Sequence, residues 1–337
     1  MRSGFNPHPR RLRRRKANSY QLKVSFYLLS ICALATSASG VINIDTVLVG
    51  DAGNANDSTG YGGVSYDYHV GTYEVTNSQY VSFLNATGAS NTHGVFNASM
   101  ESDSRGGIQQ DGVSGSFSYN VKAGFGDKPV NFVSFWDAAR FTNWLTSGDT
   151  EVGVYNLGGV TSPTNADITR DATAWAAGGV AIASEDEWYK AAYYQPVAAG
   201  GDADSYWLYP TASNSVPSGA EANYNANDGN EPDTIADVGY SDASYYGTFD
   251  QGGNVWEWND AIVSTSDRGL RGGSFLSTDT TLQSSYRNYI NPSNEHNNIG
   301  FRVSSLAPIP EPSAYAAILG CLALAIATVR RKGRGTL

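Results

Sequence analysis

Two stretches of the chain concentrate side chains that could hold a cation. The first, DQGGNVWEWND, places Asp250 and Glu257 on either side of a Gly-Gly-Asn turn, with Glu257 between Trp256 and Trp258. A carboxylate flanked by two large apolar rings is costly to bury unless a cation or several donors meet it. Either Glu257 faces solvent while the tryptophans pack inward, or it reaches a positive partner inside. The second stretch, EANYNANDGNEPD, sets Asn223, Asp228 and Asn230 among further amides and acids. Such oxygens, with backbone carbonyls, are the ligands of hard divalent ions, which take about six to eight of them. A solvated polar loop has the same composition.

Other chemistries find little to work with. The two cysteines are Cys32 and Cys321, one in each terminal apolar run, so the residues between them offer no thiolate nucleophile and no disulfide. His69, His93 and His296 are widely separated and read as surface or loop histidines; no His-x-x-x-His pair occurs. The chain has neither a G-x-S-x-G elbow nor a phosphate-cradling glycine loop followed by Lys-Ser/Thr. Glu185, Asp186 and Glu187 are adjacent acids, but they fall in the first turn of a helix, where acids complement the helix dipole.

Three helices are needed to position these groups, and each announces its start. Thr76 and Gln79 form a capping box ahead of Tyr80, Phe83 and Leu84. Ser134 caps a second helix, with Asp137 in its first turn, Phe141, Trp144 and Leu145 on its apolar face, and Gly148 at its end. Ser184 and Glu187 repeat the capping box, Trp188, Ala191 and Ala192 face inward, and Pro196 stops the helix. The pieces VSYDYHVGTYEV and NIGFRVSS read as strands. The fold class is α+β, rich in loops.

The ends read differently. Residues 1–40 carry RRLRRRK, the apolar run VSFYLLSICALA and the small residues TSASG, the layout of a secretory signal peptide cleaved near Val41. Residues 309–337 hold PEPS, an apolar segment of about 17 residues and a basic end, which sits at the lower limit for a membrane-spanning helix. This tail resembles the PEP-CTERM sorting signals of certain Gram-negative bacteria. That resemblance implies processing by an exosortase-type protease and an exported protein held at the membrane through its C-terminal helix. Residues 41–308 form one domain. Twelve of the 22 basic residues lie in the terminal segments; between Val41 and Glu311 ten basic residues stand against all 32 acidic ones, a formal charge near −22. A surface this acidic repels nucleic acid and anionic lipid.

Between Leu48 and Ser304 the segments VGTYEVTNSQYVSFLNA, KPVNFVSFWDAARFTNWL, IASEDEWYKAAYY, GTFDQGGNVWEWND, LRGGSF and IGFRVSS succeed one another. In that order they resemble formylglycine-generating enzyme domains, also called sulfatase-modifying factor domains. The resemblance implies a C-type-lectin-like fold with short helices and small antiparallel sheets. It also implies structural calcium: one site from the Asp250 and Glu257 side chains with the Gly253 and Val255 carbonyls, another from Asn223 and Asp228 with the Tyr224 and Asn230 carbonyls. Arg271 and Arg302 are expected to pair with interior or loop acids.

Catalytic members of the family use copper(I) on two cysteines shortly after the RGGS turn. Here those positions fall at Ser277 and among Thr280 to Leu282, and a serine hydroxyl cannot replace a soft thiolate. Copper is therefore not expected. The chain is expected to be an exported, surface-associated relative that binds or scaffolds, with exopolysaccharide or a surface protein as its ligand. The alternative is an enzyme that kept the scaffold and changed its oxidative chemistry.

Overall fold

The computed structural model describes residues 42–225 and 234–309, together with Met1 and Gly4. The leader, Asp228, Asn230 and the C-terminal tail lie outside the described residues. Among the described residues no helix is long and apolar enough to cross a membrane.

The strands are β1 (Thr46–Val49), β2 (Tyr68–Gly71), β3 (Ile108–Asp111), β4 (Ser118–Val121), β5 (Ala181–Ile182), β6 (Trp256–Ile262), β7 (Arg268–Arg271), β8 (Asn288–Ile290), β9 (Ile299–Phe301) and β10 (Val303–Ser305). They make one sheet in the order β1-β2-β10-β5, a β3-β4 hairpin, and a second four-stranded sheet in the order β8-β7-β6-β9. Pairing is antiparallel except between β6 and β9. The expected strand NIGFRVSS is thus two strands. The chain leaves one sheet at Phe301 and enters the other at Val303, with Arg302 between them.

The three anticipated helices form as their caps dictate: α1 (Asn77–Thr87), then the short α2 (Ser99–Ser102), α3 (Phe135–Ser147), the short α4 (Ala172–Ala176) and α5 (Glu185–Tyr193). All three long helices carry a complete capping box, with Gln79, Asp137 and Glu187 each reaching back to the cap residue's backbone N–H. Gly148 adopts φ 80° and closes α3. Apolar faces meet in one main core. There Phe141 of α3 packs edge-on against Phe83 of α1 and Phe301 of β9, with ring centroids 5.5 and 5.4 Å apart. Burying each such side chain stabilises the fold by roughly 1.5–3 kcal/mol.

Candidate functional site

Strand β6 answers the question that Glu257 poses. Side chains alternate across a strand, so Trp256 and Trp258 turn to the main core while Glu257 turns to the opposite face; all three are buried. The partner of Glu257 is the guanidinium of Arg302. Its Nε donates to Oε2 at 2.6 Å and its Nη2 to Oε1 at 2.6 Å, a bidentate pair. Trp188 Nε1 of α5 adds a third donor to Oε2 at 2.7 Å. The remaining guanidinium hydrogens go to the carbonyls of Gly71, Thr72 and Phe249. Arg302 therefore ties the end of β2, the loop before Asp250 and strand β6 from its place between the two sheets.

Two more acids surround this cation. Asp250 is buried with φ 61°. Its Oδ1 accepts from Ser241 N and Ser241 Oγ, both at 2.9 Å, and its Oδ2 accepts from Gly239 N. Burial still holds its carboxyl above the usual range. Glu74 is buried, accepts from Asn254 Nδ2 at 3.2 Å, and stands 4.0 Å from Arg302. Burial, then the charges of Asp250 and Glu257, push the Glu74 carboxyl well up.

The expected calcium ligands fare unequally. Asp250, Gly253, Val255 and Glu257 lie on one loop and strand, and Gly253 has to be glycine: its φ is 96°, and a Cβ would stand 2.1 Å from the Asn223 carbonyl oxygen. Yet the two carboxylates are already spent, Glu257 on Arg302 and Trp188, Asp250 on Ser241 and Gly239. As arranged, this donor set fits an internal guanidinium and not a calcium ion. Asn223 donates to Thr234 O and to Asn254 Oδ1, each at 3.1 Å, and the Tyr224 hydroxyl donates to Pro217 O. Asp228 and Asn230, the other half of that set, fall outside the described residues.

The RGGS turn comes after β7. Gly272 and Gly273 take φ 95° and 78°, and a Cβ on Gly272 would meet Gln251 O at 2.7 Å. Ser277 Oγ accepts from Ser274 N at 2.9 Å and lies 3.3 Å from Ser274 Oγ, which in turn accepts from Asn298 Nδ2. Of the groups that an altered active site would draw on, Ser277 is bonded to Ser274 and Arg287 to Glu185, while Tyr286 and His296 are exposed. Arg287 chelates Glu185 at 2.7 and 2.6 Å, and the Tyr286 ring lies 6.0 Å from Trp256. Arg271 shares Glu185 with Arg287 through its Nε at 3.0 Å, and the Tyr61 ring lies beneath both guanidiniums. Of the histidines, His69 is in β2 rather than a loop, His93 contacts Glu151 at 3.5 Å, and His296 is exposed. Burial lowers the His69 pKa.

The acids of α5 do more than complement its dipole. Glu187 accepts from Arg170 Nη1 and Nη2, Tyr66 Oη and Ser304 Oγ, all at 2.8 Å, besides capping Ser184 N. Arg170 also pairs with Asp260 at 2.5 Å and lies 4.3 Å over the Trp175 ring. The local sequence marks Glu187 as a cap but carries no signal for Arg170. A carboxyl pair that the sequence also leaves unmarked is Asp137 with Glu295. Burial, then the Asp137 charge, pushes the Glu295 carboxyl well above the usual carboxylate range.

Two clefts open beside these networks. One of about 400 Å³ is lined by Asn43, Asp45, Tyr73, Gln79 and Asp127 among others; the other, of about 230 Å³, is lined by His93, Arg140 and three threonines.

The comparisons with known proteins agree with this architecture. Among curated proteins none matches. The crystal structure of CarF superposes with a TM-score of 0.54 at 20% identity, over 79% of this chain and 99% of that one. Treponema denticola variable protein 1 gives 0.52 at 18%, over 80% and 99%. PvdO from Pseudomonas aeruginosa gives 0.46 at 18%, over 79% and 92%. At such identities the likeness to the first two is one of fold. The domain profile "Sulfatase-modifying factor enzyme 1-like domain" matches residues 55–306. With most of its length so matched, and with the short helices and small sheets of that fold, the chain belongs to the sulfatase-modifying factor enzyme 1-like family.

Proposed function

We propose that this chain is an exported, surface-associated member of its family that does not carry out copper oxidation and serves as a binding or structural module. The observation that carries this reading is the RGGS turn. Where the oxidases place their first thiolate, this chain has Ser277, its hydroxyl occupied by Ser274, and the whole sequence has cysteine only at positions 32 and 321. Export rests on the leader, and surface attachment, with exosortase-type processing, on the PEP-CTERM-like tail. The ligand proposed is a surface polysaccharide, since tyrosine offers a flat amphipathic face to sugars and Tyr240, Tyr245, Tyr286 and Tyr289 are exposed. The purified protein, immobilised and washed with the host's extracted polysaccharide, is expected to retain it. Passage of the polysaccharide without retardation would remove glycan as the ligand and favour a protein partner.

Calcium bracing by Asp250, Gly253, Val255 and Glu257 competes with Arg302 for the same carboxylate. With the guanidinium as the resident cation, thermal melts in calcium and in EDTA are expected to coincide. A Tm that rises with calcium and does not do so in Glu257→Gln would return the ion to that ligand set. The Asn223, Tyr224, Asp228 and Asn230 set is tested in the same melts through Asn223→Ala.

A further inference from the structure

The segment from Asn291 to Asn298, which links β8 to β9, is docked on the start of α3 from both of its ends. Phe135 N donates to Pro292 O and Phe132 N to His296 O, each at 2.9 Å. Trp136 Nε1 donates to Ser293 Oγ at 3.1 Å, and Asn131 Nδ2 to Asn297 O at 2.7 Å. Between these anchors lies Glu295. Its Oε2 accepts from Asn97 Nδ2 at 2.5 Å, and its carboxyl hydrogen-bonds that of Asp137 in the first turn of α3.

Two carboxylates cannot hydrogen-bond each other, since each only accepts; the contact requires one proton held between them. Asp137 is 2% exposed, and its Oδ2 already accepts from Ser134 N at 2.9 Å and Ser134 Oγ at 2.6 Å. Arg140, one turn on along α3, gives its guanidinium to Glu151 and to the carbonyls of Val160 and Thr161. It attracts Asp137 through its charge without bonding to it. From α1, Tyr80 faces both acids but donates its hydroxyl to Val95 O, and His296, beside Glu295 in the chain, is exposed. Burial raises both carboxyls above their ordinary values, and for Glu295 the Asp137 charge adds to it.

From this contact we infer that Asp137 and Glu295 form a proton-held latch, which keeps the 291–298 segment on α3 while the pair shares a proton and lets it lift as the surroundings turn alkaline. With the proton gone, two like charges meet where no cation bonds to either of them. Asp137 is fixed as part of the α3 capping box, so the side that yields is the segment carrying Glu295. A carboxyl raised in the folded state contributes its stability in full below its ordinary value, 4.5 for a glutamate. That stability is lost as pH rises through the folded value. The inference goes beyond the binding-module reading and stands whether or not the polysaccharide is retained.

The test is hydrogen exchange of the purified full-length protein, read at the Phe132 and Phe135 amides that donate to the segment and corrected for the intrinsic pH dependence of exchange. Between about pH 5 and about pH 9 their opening should become up to about tenfold more frequent per pH unit, the signature of one proton released. Glu295→Gln keeps the contact, because its amide donates to an ionised Asp137, and should abolish the slope while leaving both amides protected. Glu295→Ala, which removes the latch at every pH, should leave both amides open across the whole range. The melting temperature of the wild type should fall relative to that of Glu295→Gln as pH rises. A slope that persists in Glu295→Gln, wild-type protection that does not change with pH, or a loss of protection that reaches β6 and β7 at the same pH would each overturn the inference.

Discussion

Arg302→Ala is expected to destabilise the domain by about 3–5 kcal/mol, because it strips a fully buried carboxylate of its counter-charge. Glu257 would keep only the Trp188 indole, and the carbonyls of Gly71, Thr72 and Phe249 would each lose one donor at the same stroke. Chemical denaturation followed by tryptophan fluorescence reads this directly, since Trp256 and Trp258 flank the broken pair. Arg302→Lys should recover only part of the loss, for an ammonium cannot chelate both Glu257 oxygens and span three carbonyls. If Arg302→Ala unfolds at the wild-type midpoint, the guanidinium is not the partner that Glu257 depends on.

Glu187→Ala should cost a similar amount, about 3–5 kcal/mol, by leaving Arg170 with one acid in place of two and Ser184 without its reciprocal cap. The charge of Glu187 has a pH signature that separates it from a simple packing defect. Burial pushes the Glu187 carboxyl up, but the Arg170 charge and the donors on both oxygens outweigh that and hold it below its ordinary value of 4.5. A group depressed in the folded state contributes its stability in full above the unfolded value, and the contribution is lost as pH falls through the folded one. The gap between wild type and Glu187→Gln should therefore be constant from pH 7 down to about 4.5 and close below it. A gap that widened in acid would contradict the ionised, Arg170-paired state.

What could be read from the sequence alone tracks the range of the interaction. The caps at Thr76, Ser134 and Ser184 act over three residues, so their partners Gln79, Asp137 and Glu187 are visible in the sequence. The in-and-out alternation of Trp256, Glu257 and Trp258 is visible too. The identity of the cation facing Glu257 is not, because Arg302 lies 45 residues away and only the folded chain brings it near. For the same reason Arg271 can be given an acid but not Glu185 by number. The GFR segment looks like one strand because nothing local marks where β9 ends and β10 begins.

The crossing at Arg302 has a consequence for the order in which the chain can become a protein. Strand β10 lies between β2 and β5, and β9 is the parallel neighbour of β6, so both large sheets are completed by the residues from Ile299 to Ser305. A nascent chain that stops short of them holds β5 apart from β2 and an interior acid with no cation. Such closure over long separations is slow, and it leaves no native half-domain to form early. The polypeptide is thus committed to its final shape only once the residues up to Ser305 have been made.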